Sequence, residues 1–235
     1  MKKKTFWIGH IPVLALVMLL AILLGTFGTR TATVFSENAS LKNRHRIVID
    51  AGHGGEDGGA TSCSGILEST FNLEIALRLE PLFRLLGYPT EMVRRSDTAI
   101  HTQGDTIAAR KASDLKARVR LANETENALL ISIHQNFFSE SKYSGAQVFY
   151  PKTEGSQALA NVLQNAFREK LNPGSTRREK PTSGVYLMEH ITCPGVLIEC
   201  GFLSNPDEEA NLRTPEYQKK ICCTIAATVS DYFAS

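Results

Sequence analysis

Four side chains in this sequence sit where packing alone gives them little reason to be. His53 lies inside the glycine-rich run Asp50-Ala51-Gly52-His53-Gly54-Gly55, and Glu68 precedes a helical pattern. His134 follows Leu129-Leu130-Ile131-Ser132-Ile133, and Glu199 ends Gly195-Val196-Leu197-Ile198. Ionisable groups at the edge of an apolar run are seldom left without a partner. Two imidazoles and one carboxylate form a normal ligand set for a catalytic zinc that keeps a fourth position for water. A second carboxylate is what such a site needs as general base. The set reads as a zinc hydrolase.

Strand ends are where an α/β sheet delivers side chains to a shared cleft, so the elements must bring these ends together. Strands are expected over 46–50, 89–94, 128–133, 145–150, 185–188 and 195–199. Helices are expected over 69–86, 115–123, 155–171 and 217–233. In the first of these, Phe71, Ile75, Leu79, Leu82 and Phe83 recur every three to four residues. Strands alternating with helices imply a single-domain α/β sandwich with a mostly parallel central sheet flanked by helices. The plain reading of Glu68 is a helix-start carboxylate favoured by the helix dipole. A phosphate-cradling loop competes for the glycines after the first strand, but the lysine and Ser/Thr of a P-loop are absent.

Composition narrows the class. Hydrophobic residues make up 43% and charged residues 21% of 235, as in a globular protein. The net charge of +2 comes largely from Lys2, Lys3 and Lys4, so nothing argues for nucleic-acid binding. Those lysines precede Phe6–Phe27, 22 residues without a charged side chain, which as a helix would measure roughly 33 Å and cross a bilayer. The organisation expected is therefore a membrane anchor over 1–28, a polar linker over 29–45 and a catalytic domain over 46–235. The positive flank keeps the N-terminus in the cytoplasm and sends the rest outside, single-pass, or secreted if the leader is cleaved. Arg177, Arg178 and Lys180 read as a solvated loop. Cys193 and Cys200 flank a strand too extended to bridge, and Cys222 and Cys223 read as small packed hydrophobes.

The motifs also carry a resemblance. Asp50 through Ala60, Leu115-Lys116-Ala117-Arg118 leading to Ala122-Asn123, Ser132-Ile133-His134-Gln135-Asn136, and Ile198 through Asn205 resemble, in order, the motifs of the zinc-dependent N-acetylmuramoyl-L-alanine amidases of the amidase 3 family. Ala51, Gln135 and Cys200 depart from the pattern without removing a group the chemistry requires. Arg110-Lys111, Asp114-Leu115, Ser144 through Gln147 and Val185-Tyr186-Leu187 are similar to the germination-specific sporulation type.

The resemblance implies Zn²⁺ held by His53, Glu68 and His134, with Glu199 as general base and acid. It implies peptidoglycan as substrate, cut between N-acetylmuramic acid and L-alanine. For the sporulation type it implies a role in spore cortex on the way to muramic-δ-lactam. Asn136 and Arg118 are candidates for touching substrate or supporting the ligands; a turn residue and a helix-to-sheet pin are their plainer roles. Only Phe137–Ser144 separate Asn136 from Gly145, too few for the blocking helix of some division amidases. A general cell-wall amidase, another zinc peptidase or sugar deacetylase, and a non-catalytic wall-binding module are the rival readings. No wall-binding repeat appears, so substrate is held by the cleft itself or through an accessory protein.

Overall fold

The computed structural model describes residues 45–234; the expected anchor and most of the linker lie outside them. Six strands form one sheet: β1 (Arg46–Ala51), β2 (Thr90–Met92), β3 (Ala128–Asn136), β4 (Gln147–Tyr150), β5 (Lys180–Pro181) and β6 (Gly195–Phe202). Their spatial order is β2-β1-β3-β6-β4-β5. Neighbours are parallel from β2 through β6, β4 runs antiparallel to β6, and β5 is parallel to β4. The last strand in the chain therefore lies in the middle of the sheet.

Helices α1 (Glu68–Leu85), α2 (Ile107–Glu124), α3 (Ser156–Lys170), α4 (Tyr186–His190), α5 (Pro206–Leu212) and α6 (Pro215–Ala234) complete the domain. The side-chain alternation of the strands sorts them into layers. Ile47, Ile49, Leu129, Ile131, Ile133, Val196 and Ile198 point to one face, where Phe71, Leu159, Leu163 and Ile225 cover them. Val48, Leu130 and Leu197 point to the other and meet Ala122, Leu187 and Met188. A sheet covered on both faces needs strands that are apolar throughout, which is why these segments read as continuous runs.

Several expectations are corrected. Val185–Met188 is not a strand: residues 186–190 form α4, whose Leu187 and Met188 lie under the second face. A short apolar run fits a buried turn of helix as well as a strand. Helix α2 begins at Ile107 rather than Leu115, its N-cap Thr106 accepting a hydrogen bond from the Ala109 amide. Strand β4 begins at Gln147, two residues after Gly145. Lys180 belongs to the two-residue strand β5 rather than a plain loop. All five cysteines are free, and while Cys222 is buried as expected, Cys223 is exposed.

Candidate metal centre and its catalytic carboxylate

Because β1, β3 and β6 are parallel, their carboxyl ends share one edge of the sheet. His134 and Glu199 are register partners on β3 and β6. His53 follows β1 through the glycine turn, and Glu68 is the first residue of α1, which starts at the same edge. Glu68 does not cap its helix; the N-cap position is Leu67, with no side-chain bond. Its carboxylate instead turns into the site, Oε2 lying 3.3 Å from His53 Nε2 and Oε1 3.0 Å from His134 Nδ1. The Ala60 and Gln135 amides donate to the same carboxylate, as does the Asn72 side chain. One ligand atom from each of His53, Glu68 and His134 fits within a mutual distance of 4.8 Å, and this is the one such group found among the described residues.

The glycines serve this convergence directly. A Cβ on Gly52 would stand 2.2 Å from the His134 ring, and one on Gly59 would stand 2.6 Å from Glu68 Oε2. His53 itself adopts φ 63°, a left-handed conformation that a side chain other than glycine's takes only when its surroundings enforce it. Arg118 supplies part of that enforcement. Its guanidinium donates to the His53 carbonyl at 2.7 Å and the Ala51 carbonyl at 3.0 Å, and pairs with Asp50 at 2.5 Å and Asp114 at 2.6 Å. Arg94 holds the other side, donating to the carbonyls of Ala51, Gly52 and Ser69. Arg118 thus does more than pin its helix, and Arg94 was missed because no sequence pattern marks an arginine that bonds only backbone.

Asp57 was also missed. Its carboxylate lies 3.0 Å from His53 Nδ1 and 3.1 Å from Lys111 Nζ. A carboxylate on the far nitrogen is the usual device for fixing the orientation of a ligating imidazole. An aspartate in a polar loop carries no signal by itself, but its i,i+4 spacing from His53 could have flagged it. Asn136 ends β3, and its carbonyl accepts from the Leu203 amide.

Electrostatics separate the two carboxylates. Burial opposes ionisation of Glu68, but the hydrogen bonds and charges of His134 and His53 outweigh it and hold the carboxyl far below its ordinary range. For His53, burial works against the proton, yet Glu68 and Asp57 overcome it and raise the imidazole. Glu199 goes the opposite way. Burial, aided by the Glu68 charge, outweighs the pull of His134 and His53 and pushes it up to about 7. Its Oε2 is buried with no hydrogen-bond partner. An acid held near neutrality beside a fixed anion is the environment that separates acid–base roles in hydrolases.

The family of N-acetylmuramoyl-L-alanine amidases matches residues 47–231. The chain belongs to that family. This amidase is 42% identical over 189 residues to the germination-specific N-acetylmuramoyl-L-alanine amidase of Bacillus subtilis, covering 80% of this chain and 79% of that one. It is 27% identical to AmiA of Escherichia coli over 80% and 75% of the two chains. In three dimensions it is similar to the CwlD amidase of Clostridioides difficile, solved in complex with the GerS lipoprotein, with a TM-score of 0.78, 34% identity, and 81% and 99% coverage. It acts as a cell-wall hydrolase, and the α/β fold with a mostly parallel sheet is that of its relatives.

Proposed function

We propose that this amidase is zinc-dependent and hydrolyses the amide between the lactyl carbonyl of N-acetylmuramic acid and the amine of L-alanine. His53, Glu68 and His134 would hold the metal. The fit rests on their convergent donor atoms, the glycines that clear space around them, and the buried, unpartnered Oε2 of Glu199 at their side. When bound, zinc supplies Lewis-acid polarisation of a carbonyl and acidification of water. Glu199 carries the reading: it takes a proton from the attacking water, whose oxygen bonds to the carbonyl carbon, and returns it to the leaving nitrogen as the C–N bond breaks. Asp57 orients His53, and Arg118 and Arg94 fix the turn that presents it. Asn136, at the strand end beside the site, contacts substrate.

The likeness to a germination-specific relative supports action on spore cortex, towards muramic-δ-lactam. The complex in which the Clostridioides difficile relative was solved supports a place for an accessory protein. The charge-free stretch Phe6–Phe27 behind three lysines supports an N-terminal membrane anchor with the amidase domain outside the cytoplasm.

The full-length chain, zinc-loaded, should release peptides from peptidoglycan and leave unsubstituted muramic acid, read by mass spectrometry. Release of acetyl groups in place of peptides would defeat the reading. His134→Ala should lose both bound zinc and activity.

A further inference from the structure

The loop Phe137–Ser144, which joins β3 to β4, is exposed from end to end apart from its anchoring contacts, yet it carries three aromatic rings. Phe137, Phe138 and Tyr143 are 49%, 47% and 36% exposed. Single exposed hydrophobics need no explanation, whereas converging ones mark a binding surface. Here two of the three converge, with Phe137 next to them in the chain: Phe138 meets Tyr143 edge-on at 4.9 Å between centroids, and Tyr143 stacks on Phe202 at 6.3 Å.

The segment that follows Glu199 holds this ledge in place. Phe202 ends β6, and Ser204 Oγ accepts from the Phe138 amide while the Asn205 side chain donates to the Tyr143 carbonyl. Phe202 is three residues beyond Glu199, a distance of about 10 Å along β6, and Phe137 directly follows the end of β3, three residues beyond His134. The ledge therefore grows from the same two strands that carry His134 and Glu199, just past them along the chain.

The chemistry of the ledge selects among the parts of the substrate. Its open surface is mostly ring carbon, with the Lys142 ammonium 5.4 Å from the Tyr143 ring centroid. Lys142 is paired with Glu140, and Arg177 donates to the Ser144 carbonyl and covers the Phe202 ring at 4.9 Å. With both cations engaged, an anionic stem peptide finds little to pair with, whereas a neutral pyranose presents C–H faces that match aromatic rings. Beyond Tyr143 lies a groove of ≈ 630 Å³ lined by Lys142, Asn172 and Arg177 among others, room for further units of a polymer.

We infer that Phe137, Phe138 and Tyr143 form a glycan-binding subsite that stacks sugar units next to the muramic acid being cut. This rests on the amidase reading for the polymer that reaches it, but its binding test does not. A peptide-free glycan strand of alternating N-acetylglucosamine and N-acetylmuramic acid is titrated into the full-length chain by calorimetry. The double variant Phe138→Ala/Tyr143→Ala should bind about tenfold more weakly, since two stacking contacts are lost. Phe138→Trp/Tyr143→Trp should retain binding, and all three should show a single cooperative thermal transition above the assay temperature, so that a loss of binding is not a loss of fold. In turnover, KM for polymeric wall should rise about tenfold in the alanine variant at unchanged kcat, with no change for a substrate holding one muramic acid. Equal glycan affinity in wild type and alanine variant would overturn the subsite, as would an equal KM change for the one-sugar substrate. Glycan binding that depends on the rings without amide hydrolysis would uphold the subsite and defeat the amidase reading instead.

Discussion

Two charged clusters stand side by side at the carboxyl edge of this sheet, and they are built on opposite plans. Behind the edge, Asp50, Arg118, Asp114 and Ser132 form a sealed group. Asp50 and Arg118 are 1% and 3% exposed, and the Ser132 hydroxyl donates to the second Asp50 oxygen at 2.6 Å. At the edge, His53, His134 and Glu199 are only partly closed off around the buried Glu68, and Glu199 keeps an acceptor that nothing satisfies. Low dielectric strengthens a complete network and penalises an incomplete one. A fold tolerates the second kind where the missing partner arrives from outside. The contrast separates a brace from a reaction site without reference to any relative.

That contrast can be broken at its sharpest point. Glu199→Gln preserves shape and removes the proton acceptor, so kcat should fall by about 10²–10⁴-fold while zinc content, read by metal analysis, is kept. Ordinary turnover in that variant would remove Glu199 from the chemistry. The same residue sets the acid side of the pH profile. Its carboxyl, raised to about 7 in the protein alone, is brought down by a nearby cation. Activity should therefore rise with pH and level off at or below about 7, a limb absent from the residual rate of Glu199→Gln.

The sealed cluster predicts a loss of another kind. Asp50→Asn breaks a buried pair and should destabilise the domain by about 3 kcal/mol in denaturant titrations. Burial opposes the Asp50 charge, but Arg118, His134 and Ser132 outweigh it and hold the carboxyl below its ordinary value. A depressed folded-state pKa contributes stability that is present above about pH 4 and lost as pH falls through the depressed value. The gap between wild type and Asp50→Asn should then be constant above about pH 4 and shrink below it. A gap that widened in acid would reject the assignment.

Asp57 lies between the clusters in character and should give the smallest effect. Asp57→Asn loosens the orientation of His53 without removing a ligand, and zinc affinity should drop about 10–100-fold in competition with a chelator. No change would mean that the φ 63° turn and its arginine clamps hold the imidazole unaided.

The sequence disclosed the edge cluster far more readily than the brace. Strands buried on both faces read as apolar runs, so His134 and Glu199 stand out at their ends, and the glycines around His53 mark an imidazole with no packing duty. Arg94 and Asp57 work through backbone carbonyls and a loop contact, which leave no periodic trace. The central place of β6 was equally hidden, because pairing between distant segments is not written in local hydrophobicity. The α4 error has the same origin: four apolar residues fix burial but not backbone shape.

The position of β6 bears on how such a molecule is made. A chain synthesised from its N-terminus presents His53, Glu68 and His134 well before residues 195–202 exist, so every group proposed to hold metal precedes the strand that carries the proposed base. Until β6 enters, β3 and β4 expose two unpaired edges, and the final strand pairing joins segments roughly fifty to sixty-five residues apart. Non-local closure of this kind is slow and leaves edges open to wrong partners. The strand that completes the sheet thus also delivers the carboxylate proposed as the base, before the closing helix α6 covers the core.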